Sequence, residues 1–184
     1  MAPALAHAGP CCAGNENYEE DSQFYFGGEL NYTTAKAARA AFAPSSAVRL
    51  FYGYRMTQRV AIEFAYLDLG YYNDPVTRKT TSISGQSIVL LGKIPLDRDA
   101  KYSAYGRVGL SFSDVNIAGI GRSRHNDMTF GAGIEVNLDE EEHLWYARFG
   151  IDRYNTGCLT VVMPPNFATP DSITTVGVAI VHNL

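Results

Sequence analysis

Serine, histidine and carboxylate side chains, the set that supports nucleophilic catalysis, occur together at Ser123, His125 and Asp127. A histidine within reach of a serine hydroxyl can accept its proton, while a third group orients the imidazole ring. Close neighbours in one chain segment seldom form such a triad, because its members usually meet only in the folded protein. The remaining histidines lie outside the long loops that we predict below, at His7, His143 and His182. We therefore predict that the protein is not an enzyme.

Metal-binding residue types are also present, but their spacing does not favour a site. Residues 139–142 form an acidic run, and carboxylates suit Ca²⁺ and Mg²⁺, yet the spacing of an EF-hand is missing. A solvated turn explains the run better. The three cysteines, Cys11, Cys12 and Cys158, are too few for a four-cysteine site, and adjacent cysteines rarely bond to each other. We predict no metal and no cofactor.

Charged residues recur inside segments that alternate like β-strands. In YSAYGRVGLSF, residues 102–112, one face is apolar and the other carries Arg107. The polar faces of all such segments together hold four acids and four bases: Glu29, Glu63, Glu135, Asp152, Arg49, Arg55, Arg107 and Arg148. Charges that face water need not balance in this way, whereas charges enclosed in a narrow barrel must pair. We predict that these residues form an ionic network in a lumen, with Arg107 facing one or more of Glu29, Glu63 and Glu135.

Eight strands of about ten residues are predicted, the length that a tilted strand needs to cross a bilayer. They span residues 23–32, 47–56, 60–70, 82–94, 101–113, 128–138, 144–154 and 173–184. The connections alternate between long and short, so that all the long ones, 33–46, 71–81, 114–127 and 155–172, emerge at one end. This pattern is typical of outer-membrane barrels with short periplasmic turns. The predicted fold is all-β, an eight-stranded antiparallel up-and-down transmembrane β-barrel over residues 23–184.

Other features agree with a membrane barrel. No apolar run approaches the roughly 20 residues of a spanning helix, and the mixed charges, with a net charge of -4, argue against nucleic-acid partners. Residues 1–22 are interpreted as a leader remnant or periplasmic segment. The alanine-rich residues 34–42 could instead form a short helix.

Aromatic side chains are predicted at the membrane interface, namely Tyr52, Tyr54, Tyr66, Tyr102 and Trp145. A soluble lipocalin-like barrel would have to bury these aromatics together with all the other apolar residues.

Four segments resemble, in this order, the transmembrane domain of OmpA-like outer-membrane proteins. They are GYR (53–55), VAIEFAYLDLG (60–70), GKIPL (92–96) and YGRVGLSFSD (105–114). The resemblance implies an eight-stranded barrel whose lumen is closed by an ionic network that includes Glu63 and Arg107. It extends over most of residues 23–184. OmpA-like proteins often carry a further domain after the barrel, whereas this sequence stops at Leu184, on leucine where an aromatic residue is usual.

The function predicted from the sequence is that of a structural or interaction protein in the outer membrane of a Gram-negative bacterium. A monomer would sit in the lipid bilayer and display four long surface loops to a ligand. Basic residues could contact lipopolysaccharide phosphates at Arg122, Arg124 and His125. The alternatives are a narrow gated ion channel and, less favoured, an enzyme that modifies lipid A. The His-x-Ser-Asn signature of barrel deacylases is missing from the sequence.

Overall fold

A computed structural model describes residues 23–37, 40–73, 78–98, 100–119, 121–139, 144–155 and 172–184. These residues form nine strands: β1 Phe24–Ala37, β2 Ala40–Ala41, β3 Ser45–Thr57, β4 Val60–Asn73, β5 Thr80–Pro95, β6 Tyr102–Ile117, β7 Gly121–Asn137, β8 Trp145–Asn155 and β9 Ser172–Asn183. Within the described ranges, no helix has the length and apolar character needed to cross a membrane. The predicted leader segment and all three cysteines lie outside them.

The eight long strands close into a barrel. Each pairs antiparallel with the next along the chain, and β9 pairs back onto β1 from Tyr25↔Asn183 to Lys36↔Ser172. The two-residue β2 pairs only with the end of β1 and stands outside this cycle. Closure satisfies the backbone hydrogen bonds of both edges, which a sheet in hydrocarbon requires. The predicted fold class is thereby confirmed.

The strands extend further than predicted at one end, which we call the loop end. The helix considered over residues 34–42 is wrong, because β1 continues to Ala37 and Ala40 and Ala41 pair with it. Similarly, β4 and β5 reach Asn73 and Thr80 and shorten the second connection. Cross-strand bonds and the burial of alternate side chains inside the barrel favour this conformation over an isolated helix of about two turns.

The predicted long loop over residues 114–127 is also wrong. Strands β6 and β7 stay paired up to Ile117 and Gly121, and only residues 118–120 connect them. Val115 and Ile117 are buried on the inner face, so the hairpin gains apolar burial as it rises. Gly121 adopts φ 138°, a value that favours glycine and lets the hairpin close. Of the four predicted long loops, 155–172 falls almost entirely outside the described residues.

The outer surface carries a continuous apolar belt. Leu30, Phe64 and Leu110 are 71%, 52% and 50% exposed, an unusual state for apolar side chains facing water but an ordinary one in lipid. Toward the loop end, the first outward residue beyond the belt is polar on every long strand: Thr34, Ser46, Asp68, Gln86, Asp114, Asn126, Arg153 and Thr174. The hairpins therefore rise beyond the membrane at the loop end. At the opposite end, the turn end, the belt reaches almost to the turns.

The aromatic residues predicted for the membrane interface lie on this outer face. Tyr66 precedes the polar ring at the loop end, whereas Tyr102 and Trp145 begin β6 and β8 at the turn end. Tyr52 and Tyr54 pack against Phe24, with ring centroids 5.7 and 5.0 Å apart. Their role as interface anchors stays a prediction.

The interior is divided into layers. The layer nearest the loop end is largely apolar, and its buried hydrophobic side chains are Ala35, Phe42, Leu67, Leu69, Tyr72, Ile83, Val115, Ile117, Tyr154 and Ile173. Phe42 follows β2 and packs edge-on against Tyr72, with the ring centroids 6.1 Å apart. The middle layer holds charged side chains, and the turn end opens into a cavity. The filled interior is what an eight-stranded barrel allows, because its lumen is only as wide as the side chains.

Inward glycines make room for the large interior side chains, and we expect substitution there to be costly. A Cβ at Gly133 would lie 2.7 Å from the Tyr105 hydroxyl and 2.8 Å from the Gly150 Cα, whereas one at Gly92 would meet nothing within 4 Å. Gly133→Ala should therefore destabilise the barrel by about 1 to 3 kcal/mol through overpacking. Gly92→Ala should change stability little. Urea unfolding in lipid vesicles measures both, and equal stability of the two variants would contradict the packing described here.

Candidate functional site

The strand pairing brings the central charged residues together in the middle of the barrel. Glu29 of β1 lies directly across from Arg49 of β3, and Glu135 of β7 lies across from Arg148 of β8. Gly131 of β7 pairs with Arg107 on one side and with Asp152 on the other. The missing side chain at Gly131 leaves the space in which Arg107 reaches across β7 to Asp152.

Glu63 is the centre of the network and is fully buried. Its Oε2 accepts a hydrogen bond from Arg49 Nη2 at 2.6 Å, and its Oε1 accepts one from Arg148 Nη1. The Tyr25 hydroxyl donates to the same Oε1 at 3.0 Å. Two guanidinium groups and one hydroxyl thus compensate a carboxylate that has lost all contact with solvent, as a buried charge requires.

Arg107 and Glu29 connect this centre to the far wall. Arg107 forms a two-pronged pair with Asp152: its Nε donates to Oδ1 at 2.5 Å, and its Nη2 donates to Oδ2. Such bidentate pairs are the strongest of the charge-assisted hydrogen bonds. Glu29 Oε2 accepts from Arg49 Nη1 at 3.1 Å and from Arg107 Nη2 at 3.3 Å. Arg107 Nη1 lies 3.9 Å from Glu63, and Arg107 makes no ion pair with Glu135.

Lys93 belongs to the network, although it is not among the site residues predicted from the sequence. Glu135 Oε2 accepts a hydrogen bond from Arg148 Nε at 2.6 Å, and its Oε1 pairs with Lys93 Nζ. The inner face of β5 is otherwise largely apolar, with Val89 and Leu91 buried, so hydropathy does not separate its two faces. Lys93 lies two residues after Leu91 and four residues after Val89, so strand alternation puts it on the same inner face. This spacing is the signal that could have identified it.

The structure does not bring Arg55 into the network. Its Nη2 donates to the Asn183 Oδ1 at 2.8 Å, and no carboxylate among the described residues forms an ion pair with it. Gly53 pairs with Glu63, and Arg55 pairs with Ala61. Arg55 therefore lies one inward-facing residue nearer the turn end than the strand position opposite Glu63. The predicted membership of Arg55 is therefore wrong, and Lys93 takes its place. Seven of the eight predicted residues meet, and the charges balance as four acids and four bases.

Aromatic rings that sequence reasoning left unassigned surround the network. The Arg148 guanidinium lies 5.3, 5.4 and 5.7 Å from the ring centroids of Tyr25, Phe51 and Tyr105. These rings contact the guanidinium while its N–H groups bind carboxylates, which adds cation–π attraction in a buried site. Their position on the polar face of each strand is a signal readable from the sequence.

The serine, histidine and aspartate considered for catalysis share the inner face of β7. His125 lies across from Ser113 of β6, at the loop end. No hydrogen bond connects His125 to Ser113, Ser123 or Asp127 within the described part of the chain, and its Nε2 is buried without a partner. The arrangement therefore lacks the serine–histidine contact that nucleophilic catalysis uses.

The exposed outer face of the same hairpin carries a small ionic cluster. Asp114 accepts hydrogen bonds from Arg122 Nη2 and, at 3.0 Å, from Arg124 Nε. The bond from Arg122 lowers the pKa of the Asp114 carboxyl below its usual range. The two arginines are 59% and 79% exposed. Among the described residues, no group of three or more histidine, cysteine or acidic side chains could hold a metal ion; residues 140–142 of the acidic run lie outside the described residues.

Removing the central carboxylate should leave two enclosed guanidinium groups undercompensated. We expect Glu63→Gln to lower the free energy of unfolding by about 3 to 5 kcal/mol, the cost of breaking a buried ion pair. Asp114→Asn also removes a carboxylate with two arginine partners, but in an exposed position, and should change stability little. Urea unfolding in vesicles compares the two. Similar small losses in both variants would show that the interior charges are hydrated.

Comparison with known proteins agrees with this geometry. A family model described as the outer membrane protein beta-barrel domain matches residues 3–179. No match was found among curated proteins. Neisserial surface protein A is 13% identical with a TM-score of 0.67, and the alignment covers 90% of this chain and all of that one.

Two further barrels share the fold at low identity. The N-terminal domain of Pseudomonas aeruginosa OprF is 15% identical with a TM-score of 0.53, covering 90% of this chain and 100% of that one. Yersinia pestis Ail, solved with the heparin analogue sucrose octasulfate, is 10% identical with a TM-score of 0.55, covering 88% and 97%. The family match and the closed sheet lead to one conclusion: the chain belongs to the outer membrane β-barrel domain family and is a protein of the bacterial outer membrane.

Proposed function

We propose that the protein is a closed outer-membrane barrel of the structural and interaction type, with its binding surface at the loop end. The observation that carries this proposal is the filled lumen. Glu63 and Arg148 are buried in the middle layer, and the apolar layer around Phe42 and Tyr72 lies between them and the loop end. A barrel with two successive packed layers is suited to presenting its surface, and poorly suited to passing solutes.

The loop end supplies the surface that could interact. Its hairpins rise beyond the apolar belt, and Arg122 and Arg124 are exposed on the hairpin formed by β6 and β7. Guanidinium groups bind phosphates and sulfates through paired hydrogen bonds. Ail, a barrel of the same fold, was solved with a sulfated sugar, which makes a polyanionic ligand a reasonable class here. We propose that lipopolysaccharide phosphates are the partners of these arginines, and that the barrel acts as a monomer because its long strands leave no free edge.

Transport through a gated lumen is the second candidate function. One observation favours it. Arg107 Nη1 has no hydrogen bond among the described residues and lies 3.9 Å from Glu63, so Glu63 is an alternative to Asp152 as the partner of Arg107. An exchange from Asp152 to Glu63 could loosen the middle layer. Any conductance would be small in an eight-stranded barrel.

Single-channel recording in planar bilayers separates the two candidates. We expect no current steps from the intact protein or from Arg107→Ala, because the apolar layer stays packed when the ionic layer is weakened. Arg122→Ala, changed outside the lumen, is the control for charge removal. A current that rises in Arg107→Ala, but not in Arg122→Ala, would contradict the closed scaffold and support a gate.

The absence of enzymatic activity is tested on lipid A. We expect lipid A from cells that overproduce the protein to keep its normal mass, since His125 has no hydrogen bond to a serine in the described structure. Mass spectrometry of extracted lipid A measures this, with His125→Ala as the matched variant. Loss of an acyl chain that depends on His125 would contradict the proposal.

A further inference from the structure

The turn end of the barrel contains a cavity of about 620 Å³ that opens between the short turns. We call it the turn-end cavity. Its wall includes five cationic side chains, namely Arg55, Arg59, Lys93, Arg98 and Lys101. Two carboxylates, Asp97 and Glu135, also line it. Since the short turns of such barrels face the periplasm, the mouth that the described residues form faces that side.

Arg55 is the unusual member of this wall. The four acids and four bases of the ionic network balance without it, so Arg55 adds a ninth charge, which has no ion-pair partner among the described residues. It is half-buried, and its described hydrogen-bond partner, Asn183, is neutral. Its guanidinium lies 5.3 Å from the Tyr25 ring centroid and 5.5 Å from that of Tyr146, which hold it in place. A partly desolvated cation at the edge of a cavity, without a counter-ion in the described structure, attracts an anion.

Lys93, one of the four bases of the ionic network, lies on the same wall of the cavity. Its Nζ lies 5.3 Å from the centroid of the Tyr146 ring that Arg55 also contacts, so two cations share one ring. The carboxylate that pairs with Lys93, Glu135, is also bound by Arg148. Arg148 also binds Glu63, so Glu135 still compensates Lys93, and the positive charge in excess of the network is that of Arg55.

We propose that the turn-end cavity is a binding site for a small oxyanion, a carboxylate or phosphate group held between Arg55 and Lys93. The planar guanidinium offers two parallel N–H groups that match the paired oxygens of either anion, and the ammonium group adds a further donor. A volume of about 620 Å³ lies within the usual range for small-molecule sites. The site would take solutes from the periplasm and is independent of the surface proposed at the loop end.

The test is a titration of the full chain in detergent micelles with inorganic phosphate, with sodium chloride used to keep the ionic strength constant. Amide shifts of Lys93 and Tyr146, followed by nuclear magnetic resonance, should saturate. Arg55→Gln should weaken binding by at least about tenfold, the usual effect of losing a hydrogen bond to a charged group. Arg153→Gln removes the same charge from an exposed position toward the opposite end and should leave the affinity unchanged.

Further arms make the result decisive. Acetate should displace phosphate from the same residues, because both present paired oxygens, and failure to do so would overturn the oxyanion assignment. Equal weakening in Arg55→Gln and Arg153→Gln, or shifts that never saturate, would also overturn it. Migration on a detergent gel before and after boiling checks that each variant is folded. If Arg55→Gln does not fold, Arg55→Lys keeps the charge but loses the paired donors, and it too should bind phosphate more weakly.

Discussion

The need to pair every enclosed charge is the constraint on which the rest of this structure depends. Closing eight strands on themselves creates an interior that water does not fill, and a carboxylate such as Glu63 can remain there only between cations. Strand alternation fixes which residues point inward, and the inward glycines open the space that long side chains need. The packing of Tyr25, Phe51 and Tyr105 around Arg148 follows from the same enclosure.

The two ends of the barrel differ because the layers inside it differ. Toward the loop end, an apolar layer closes the interior, and the strands continue past the membrane belt as paired hairpins. Toward the turn end, charged side chains from the middle layer meet an open cavity, and Arg55 is left there without an acidic partner in the described structure. Within the described residues, the asymmetry therefore comes from strand extension and interior packing.

The requirements on the outer surface and the interior explain why two proteins with this fold can share little sequence identity. Neisserial surface protein A shares 13% of residues and nearly the whole fold. Contact with lipid requires apolar side chains at alternate positions of each strand, whereas the interior requires side-chain volumes that fit and charges that balance. Many sequences satisfy both requirements. The hairpins beyond the belt and the turn-end cavity are free of these requirements, and we propose the binding surfaces there for that reason.

The sequence by itself determined the barrel, the inward face of most strands and seven of the eight charged residues that meet, since alternation and charge balance are readable along one strand. Only the tertiary structure decided that Lys93 rather than Arg55 completes the network, because pairing depends on register between strands. It also decided that β6 and β7 continue to a three-residue connection. Polar residues such as Asp114 and Asn126 resemble a loop in sequence, whereas the burial of Val115 and Ile117 exists only once the barrel has closed.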